Sequence, residues 1–263
     1  MSGEPPPAGR AGPPPPGDVA AFYETGYATE NPARAALYGR WRALGARGKA
    51  DHVVTLCGRA GLRPATVVEL GCGDGALLAA LAARGLAGRL DGFELSGHAA
   101  AIARDRRIPG TVRVERFDGA RVPAADGAYD LAVLSHVLEH VPDPGPLLAE
   151  AARLAPHVLV EVPLEANRSA ARPAKRALAR DAGHLHAFDR AAVTALGAGA
   201  GLRVRAELTD PLPYAHHAFF ATTRAQRTRA AVKWALRAAL WRASPGRAER
   251  AFTVHYACLA RRL

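Results

Sequence analysis

The chain has 263 residues, enough to bury one substantial core, so a single domain of about 200–250 residues is expected. A helix that spans a membrane needs about 18 or more apolar residues in a row, and every stretch of that length in this sequence contains a charged residue. The N-terminus has no apolar segment of the kind found in signal peptides, so the sequence predicts a cytoplasmic protein without a membrane span. Three cysteines, Cys57, Cys72 and Cys258, lie far apart and indicate neither a disulfide framework nor a zinc site.

The formal net charge of +11 comes entirely from the second part of the chain. Residues 1–160 hold 17 Lys and Arg against 17 Asp and Glu, whereas residues 161–263 hold 18 against 7. This asymmetry is typical of a protein with one surface that meets an anionic partner, such as nucleic acid, a membrane or an acidic small molecule. Arginine in merely solvated positions is the alternative.

The predicted elements fall into four stretches. Residues 1–18 are rich in Pro and Gly, which predicts a disordered tail, and the apolar spacing within 19–62 predicts helices. Strands then alternate with helices, a pattern typical of a parallel sheet covered on both faces. The predicted strands are 66–70, 90–95, 112–117, 129–134 and 157–162, and the predicted helices are 76–83, 98–104, 144–154 and 190–198.

The end of the chain departs from this alternation. A strand over 201–208 is followed by a basic helical insert over 211–250 and a final strand within 251–263. A last strand that returns after such an insert favours antiparallel pairing. The expected division is therefore a single domain over 19–263, with a helical lid over 19–62, a core over 63–210, the insert and the last strand.

The stretch TVVELGCGDGALLAALAARG, residues 66–85, is the most informative one, because a strand ends there in a glycine-rich loop that leads directly into a helix. Gly71, Gly73 and Gly75 would let a ligand approach the backbone, and the helix would direct its N–H groups at the loop. Cys72 fits between two glycines by its small size, and no nucleophilic role is expected for it. The loop alone also fits a dinucleotide fingerprint or a purely structural turn.

Acidic residues follow the next predicted strands. Glu94 ends the second strand, 21 residues after Gly73, where a carboxylate can accept both hydroxyls of a ribose. Asp118, within FDG at 117–119, ends the third strand and can accept from an exocyclic amine. Each acid alone could equally cap a helix or end a strand in solvent. Together, at the carboxyl ends of successive strands, the acids outline one crevice.

VVELGCGDG, FELS, FDG and YDLAVLSHVLEHVPDP together resemble the motifs of class I S-adenosylmethionine-dependent methyltransferases, and the last is similar to the small-molecule branch that includes quinone-biosynthesis methyltransferases. GHLHAFDRAAVTALGAGAGLRV, residues 183–204, resembles the stretch before the sixth strand of that branch. The resemblance implies a Rossmann-like, doubly wound α/β fold whose seven-stranded sheet has the order 3-2-1-4-5-7-6 and an antiparallel last strand.

The resemblance also implies site residues for S-adenosylmethionine. Glu69 and the loop glycines would hold the methionine part, Glu94 the ribose, Leu95 and Asp118 the adenine, and Ser135 would lie near the sulfonium. Carboxylates suit this cationic cofactor better than a pyrophosphate. The cofactor-binding candidates are Glu69, Gly71, Cys72, Gly73, Gly75, Glu94, Leu95, Phe117, Asp118, Gly119, Ser135 and Tyr27.

A hydroxyl acceptor would need a base, and His184, His136 and His140 are the candidates, with His184 preferred. His186 lies in the segment expected to shape the substrate side. His136 and His140 are four residues apart and would share a helix face, but the sequence shows no third ligand, so a metal site is not expected.

Two basic segments can be interpreted either as binding surfaces or as ordinary solvated or packed helices. Arg176 and Arg180 would share a helix face, as a clamp for an anionic substrate group or as a solvated surface. In residues 227–243, Val232, Leu236 and Leu240 form one face of a predicted helix, and Trp234 and Trp241 lie nearly opposite. Docking by the aliphatic face would leave the tryptophans for a membrane interface, a lipid-linked substrate or a dimer partner; burial over the active site is the alternative.

The sequence therefore predicts transfer of a methyl group from S-adenosylmethionine to a small or lipid-linked, anionic acceptor, with oxygen favoured over carbon or nitrogen. No nucleic-acid partner is expected, and the inner membrane surface is a possible location. Three alternatives stay open: a nicotinamide-dependent oxidoreductase, a nucleic-acid methyltransferase, suggested by the charge and by DPLPY at 210–214, and a non-catalytic cofactor-binding module.

Overall fold

The computed structural model describes residues 19–27 and 31–263. The predicted disordered tail, residues 1–18, lies outside the described residues. Seven strands form one sheet, and they are β1 (Thr66–Leu70), β2 (Arg89–Glu94), β3 (Thr111–Arg116), β4 (Leu131–Ser135), β5 (His157–Pro163), β6 (Leu202–Asp210) and β7 (His255–Arg262). The sheet order is β3-β2-β1-β4-β5-β7-β6, as predicted.

Helices cover the sheet, and several begin at a residue whose side chain accepts a backbone N–H of the first turn. Asn31, Ser96, Asp143, Asp189 and Thr223 cap five of them in this way. The helices are α1 (Val19–Tyr27), α2 (Pro32–Arg59), α3 (Ala76–Ala83), α4 (Gly97–Asp105), α5 (Pro144–Leu154), α6 (Pro173–Asp181), α7 (Arg190–Gly199), α8 (Tyr214–Ala218), α9 (Arg224–Ala243) and α10 (Pro245–Ala251), with a 3₁₀ turn at Leu138–His140.

The strands β1 to β5 run parallel to their neighbours, and β7 is antiparallel to both β5 and β6. The central strand β4 is buried along its whole length, as expected for a parallel strand with helices on both faces. Val67 and Val68 of β1 belong to hydrophobic clusters on opposite faces of the sheet. The carboxyl ends of β1 to β5 therefore meet at one edge, between two packed layers.

The start of β4 lies two residues later than predicted. The side chain of Asp130 accepts the backbone N–H groups of Ala65 at 2.8 Å and Thr66 at 2.9 Å. These contacts, together with the bond from the Asp130 N–H to the carbonyl oxygen of Thr66, hold the start of β1 against the start of β4. The strand begins after Asp130, at Leu131.

The orientation of α9 corrects a prediction. Val232 and Leu236, expected to dock, are 56% and 68% exposed. Trp241 instead packs against the core, and its indole N–H donates to Thr209 Oγ1 at 3.2 Å. An indole buries more apolar area than a valine and here also satisfies its donor, which accounts for the reversed docking.

Candidate functional site

The glycine loop between β1 and α3 is held in a conformation that favours glycine. Gly71, Gly73 and Gly75 have φ angles of 75°, 54° and 75°. A Cβ on Gly73 would lie 2.7 Å from the hydroxyl oxygen of Tyr27, and one on Gly71 would lie 2.5 Å from Val137 Cγ2. The backbone strand-to-helix turn is therefore closely covered by α1 on one side and by the segment after β4 on the other.

Glu69 is a buried carboxyl at the end of β1. Among the described residues its Oε2 atom has no hydrogen-bond partner, although it is shielded from solvent. Burial raises the pKa of Glu69 to about 8, and the positive charge of Lys49 acts against this shift. A buried oxygen without a donor beside a glycine loop fits a ligand that brings its own ammonium group.

Glu94 connects the end of β2 to the same loop. Its carboxylate accepts the N–H of Gly73 at 2.8 Å and the N–H of Ser96 at 2.9 Å. Burial raises the pKa of Glu94, and these backbone donors act against that rise. The structure thus places Glu94 in contact with the glycine loop.

The predicted adenine residues lie at the ends of β2 and β3. A Cβ on Gly119 would lie 3.9 Å from Leu95 Cδ1, so the two residues are neighbours. Phe117 is buried, with its ring 6.1 Å from that of Phe93 in an edge-on arrangement. The exposed Asp118 uses one oxygen to accept the N–H groups of Ala120 and Arg121, at 2.8 and 3.1 Å, which closes its own turn.

Asp74, the acid inside the glycine loop, is compensated by two arginines. Its Oδ2 accepts from Arg42 Nε at 2.7 Å and from Arg106 Nη2 at 2.8 Å. Arg42 precedes Asp74 by 32 residues and Arg106 follows it by 32 residues, so no local sequence motif predicts these ion pairs. The carboxylate left for a cationic ligand is therefore Glu69 rather than Asp74.

The side chains of Tyr27 and Cys72 flank the loop. The Tyr27 ring lies under the guanidinium of Arg42, 5.0 Å from its centroid, and burial raises the pKa of its hydroxyl. Cys72 Sγ lies 2.8 Å from the position of a Cβ on Gly92, so it points into the sheet packing. Burial raises the pKa of Cys72 well above its ordinary value, which agrees with the absence of a nucleophilic role.

Beyond β4, histidines surround the buried carboxylate of Glu161 on β5. His136 Nε2 and His255 Nδ1 lie 3.7 and 3.5 Å from Glu161 Oε1, and 3.3 Å from each other. Ser135 donates to the other oxygen of Glu161 at 3.4 Å. Although burial opposes it, contacts with His136, His255 and His52 hold the pKa of Glu161 well below its usual range.

His52 of α2 joins this cluster from the far side. Its Nδ1 lies 3.2 Å from Glu161 Oε1 and its Nε2 lies 3.3 Å from Asp210 Oδ2. Burial works against protonation, but Asp210 and Glu161 together raise the pKa of His52 to about 9. By contrast, burial and the neighbouring His136 lower the pKa of His255 to about 4.

A second group lies next to the first, around Glu139. His184 Nδ1 contacts Glu165 Oε2 at 2.7 Å, and its ring lies edge-on to that of His140, 4.8 Å between centroids. Burial lowers the pKa of His140 to about 4. His186 Nε2 contacts the carbonyl oxygen of Val141 at 2.8 Å, which engages it with the loop that follows the 3₁₀ turn.

His136 and His140 do not share a helix face. His136 has a φ of 57°, and it precedes the 3₁₀ turn to which His140 belongs. Each therefore joins a different group of side chains, and the expectation that they stack is wrong. The sequence gives no signal for His52, Glu161 and His255, because these residues come from α2, β5 and β7, and no local spacing connects them.

Arg176 and Arg180, the predicted anion clamp, are both exposed on α6. Among the described residues, no helix is both long enough and apolar enough to cross a membrane.

Comparisons with known proteins identify the family of the chain. A family model described as a methyltransferase domain matches residues 39–207. Ubiquinone biosynthesis O-methyltransferase of Pseudomonas paraeruginosa is 33% identical over 99 residues, which is 36% of this chain and 42% of that relative. The protein of the same name from Nitrosomonas europaea is 34% identical over 97 residues, 36% of this chain and 40% of its own. The matches thus span less than half the length of these relatives.

Solved structures share the fold. Geranyl diphosphate C-methyltransferase from Streptomyces coelicolor superposes with a TM-score of 0.58 at 17% identity, over 82% of this chain and 79% of that one. The cyclase SpnF superposes with a TM-score of 0.56 at 19% identity, over 82% and 81%. At these identities the likeness shows the architecture alone, whereas the family model covers most of the sequence. The chain belongs to the methyltransferase-domain family, has the sheet order expected for class I S-adenosylmethionine-dependent methyltransferases, and resembles the O-methyltransferases of quinone biosynthesis.

Proposed function

We propose that this protein methylates a hydroxyl oxygen of a small-molecule acceptor. The observation that carries the proposal is the shared edge of the sheet. The glycine loop with the unpartnered carboxyl of Glu69 lies there beside the histidines and carboxylates that follow β4 and β5. S-adenosylmethionine supplies a methyl group already activated by a positive sulfur. The chain has to hold the acceptor, exclude water and take up one proton.

The residues present fit this cofactor. Glu69 offers a buried oxygen without a donor to the ammonium of the methionine part. Glu94, already fixed by two backbone N–H groups, is proposed to accept from the ribose hydroxyls. Leu95 and Gly119 would bracket the adenine, with Asp118 toward its amine. Tyr27, whose hydroxyl lies against Gly73, would cover the loop and exclude water.

His184 is the proposed base for the acceptor hydroxyl. Its Nδ1 lies 2.7 Å from Glu165 Oε2, an arrangement in which the carboxylate orients the imidazole and raises its basicity. The preference over His140 has a physical reason, because burial lowers the pKa of His140 to about 4 and makes it a weak base at neutral pH.

Oxygen is proposed as the methylated atom because the curated relatives in quinone biosynthesis are O-methyltransferases.

Arg176 and Arg180, exposed on α6, are proposed to contact an anionic group of the acceptor. His186 is proposed as a support for the pocket wall through its contact with Val141.

A contact with an anionic membrane is proposed for α9. Val232 and Leu236 are exposed on a helix that also carries Arg229 and Lys233. Residues 211–248 contain 7 Lys and Arg and no Asp or Glu. Apolar side chains between cations suit the interface of a bilayer with negative lipids, where a lipid-linked acceptor would also be found.

The test is a transfer assay with purified protein and methyl-labelled S-adenosylmethionine. Phenols and catechols, with and without prenyl tails, serve as acceptors, and the product is examined for a new methyl ether. His184→Gln is expected to lower kcat by about 10²–10⁴-fold while the cofactor Kd stays unchanged. His157→Gln is the matched control, because His157 is the first residue of β5 and lies at the opposite edge of the sheet from the proposed site. A label found on carbon would contradict the O-methylation proposal, and cofactor binding without transfer would favour a non-catalytic module.

A further inference from the structure

The structure assigns a metal site to three side chains that the cofactor pocket does not use. We propose that His136, Glu161 and His255 bind one divalent transition-metal ion, with Zn²⁺ as the preferred occupant. The ligand atoms are His136 Nε2, His255 Nδ1 and Glu161 Oε1, and they come from the ends of three neighbouring strands. Metal binding as such does not depend on which acceptor the protein methylates.

The three ligand atoms form a nearly equilateral triangle. Its sides are 3.3 Å between the two imidazole nitrogens and 3.5 and 3.7 Å from these nitrogens to the carboxylate oxygen. With metal–ligand bonds of about 2.0–2.1 Å, the edge of a tetrahedron is about 3.3–3.4 Å. Movements of a few tenths of an ångström would therefore close the triangle around one ion.

Direct hydrogen bonds explain this geometry poorly. The two distances to Glu161 Oε1, 3.5 and 3.7 Å, are longer than the about 2.7–3.2 Å of well-formed N–H···O bonds and than the 3.4 Å contact of Ser135 with the same carboxylate. The two imidazoles nevertheless turn one nitrogen each toward the same oxygen and toward each other. Lone pairs that converge on one point at this spacing are what a shared cation requires.

The surrounding groups orient the ligands as they do in metal sites. His136 Nδ1 lies 3.1 Å from Glu139 Oε1, and this negative charge favours the proton on Nδ1 and the lone pair on Nε2. The other oxygen of Glu161 accepts from Ser135 at 3.4 Å. His52 contacts Glu161 Oε1 at 3.2 Å and is itself oriented by Asp210 at 3.3 Å. Each ligand except His255 thus has a named orienting partner.

The donor set favours zinc. Two imidazoles and one carboxylate suit Zn²⁺ and its neighbours in the first transition row, whereas Mg²⁺ and Ca²⁺ prefer oxygen alone. Glu161 is fully buried, but the side chains of His136 and His255 remain 19% and 17% exposed. A fourth position would therefore open on the imidazole side, for water or for an oxygen of a ligand.

A role in the reaction rests on the proposed function. An acceptor hydroxyl that occupied the fourth position would be more acidic there, and its oxygen would be held beside Ser135 at the end of β4. The metal and the base would then act on the same proton. The binding experiment below uses neither cofactor nor acceptor, so its failure and the failure of the methyl-transfer proposal are distinguishable.

The test measures Zn²⁺ binding to the full chain by titration calorimetry, after treatment with a chelator, and the visible spectrum of the Co²⁺-loaded protein. One ion per chain and the intense bands of four-coordinate Co²⁺ are expected. Glu161→Gln and His255→Ala should weaken Zn²⁺ binding by more than the about 10–100-fold that loss of an orienting partner causes. Circular dichroism and the Tm of each variant show that it is folded, and the isosteric Glu161→Gln keeps the test valid if His255→Ala does not fold.

Two controls locate the ion. His157→Gln, at the other end of β5, should leave the affinity unchanged. His184→Gln removes a ligand of the adjacent group formed by Glu139, His140 and His184, and it should also leave the affinity unchanged. Loss of binding in His184→Gln but not in Glu161→Gln would place the ion in the adjacent group and overturn the proposal. Absence of stoichiometric binding to the wild-type chain would overturn it as well.

Discussion

The carboxyl groups at the edge of this sheet differ in their hydrogen-bond and ion-pair partners, and their positions in the sequence do not predict which partners each one has. Asp74 is held by two guanidiniums, Glu94 by two backbone N–H groups, and Glu69 keeps a buried oxygen without a partner among the described residues. The cost of leaving a buried oxygen without a donor is relieved when a ligand supplies one. This difference makes Glu69 the residue at which cofactor binding should be coupled to a proton.

We expect S-adenosylmethionine binding to release a proton near pH 7. Burial raises the pKa of Glu69 to about 8 in the free protein, so the carboxyl is mostly protonated at that pH. Lys49, Glu94 and Asp74 are the charged groups that face it. A cofactor ammonium favours the ionised form, so the pKa falls on binding, and affinity should rise with pH up to about 8 and then level off.

Calorimetry at pH 7 in two buffers of different ionisation enthalpy measures the number of protons released. Close to one is expected for the wild-type chain, and none for Glu69→Gln. A cofactor affinity that does not change between pH 6 and pH 8 would show that Glu69 is not coupled to binding.

At the scale of the element, α9 packs one set of apolar side chains on the core and exposes another set to solvent. Trp241 and Leu240 pack against the core, whereas Val232 and Leu236 face outward. The helical wheel grouped Leu240 with Val232 and Leu236, but in the structure Leu240 packs on the core with Trp241. Which side chains dock depends on what the helix meets, here the core cluster and the hydroxyl of Thr209.

Removal of the docked side chain should be costly, and removal of an exposed one should not. Trp241→Ala is expected to lower the free energy of unfolding by about 2–4 kcal/mol, since it removes packing and a hydrogen bond. Val232→Ala, at 56% exposure, should change it by less than about 0.5 kcal/mol. Urea denaturation of both variants measures the difference. Equal costs would contradict the docking of α9 by its tryptophan face.

The outward face of α9 should bind anionic vesicles. Leu236→Glu is expected to weaken binding to phosphatidylglycerol vesicles, because it removes an apolar side chain and adds a like charge to the surface. Val112→Glu, on β3, is the matched control, since Val112 is 66% exposed and Leu236 is 68% exposed. Co-sedimentation at low and high salt measures binding. Equal loss in the two variants would point to net charge rather than to this face.

At the scale of the whole molecule, the proposed cofactor pocket takes residues from β1, β2, α1 and the loop after β3, so a ligand there should stabilise the chain as a unit. S-adenosylmethionine at 100 times its Kd is expected to add about 2.7 kcal/mol to the free energy of unfolding and to raise the Tm accordingly. NAD at the same concentration should leave the Tm unchanged. Glu94→Ala should remove most of the increase, because it frees the glycine loop from β2. A shift with NAD instead would revive the dinucleotide alternative.

Local patterns in the sequence were sufficient for most strands and for the glycine loop, whereas the strand order came from the family resemblance and is confirmed by the structure. The strand 66–70 and the helices 76–83 and 144–154 begin and end at the predicted residues. Such elements depend on periodicity, caps and glycine, which act over a few residues. The acids that follow β1, β2 and β3 could be located from the sequence for the same reason, since parallel strands bring their carboxyl ends to one edge.

The tertiary structure alone decided how the long-range groups combine. His136 and His255 are 119 residues apart and His52 and Glu161 are 109 apart, yet each pair is in contact. Only the antiparallel return of β7 beside β5 brings His255 to Glu161, and only the packing of α2 on the sheet brings His52 there. Side-chain contacts across such distances depend on register and packing, which leave no signature in a short stretch of residues.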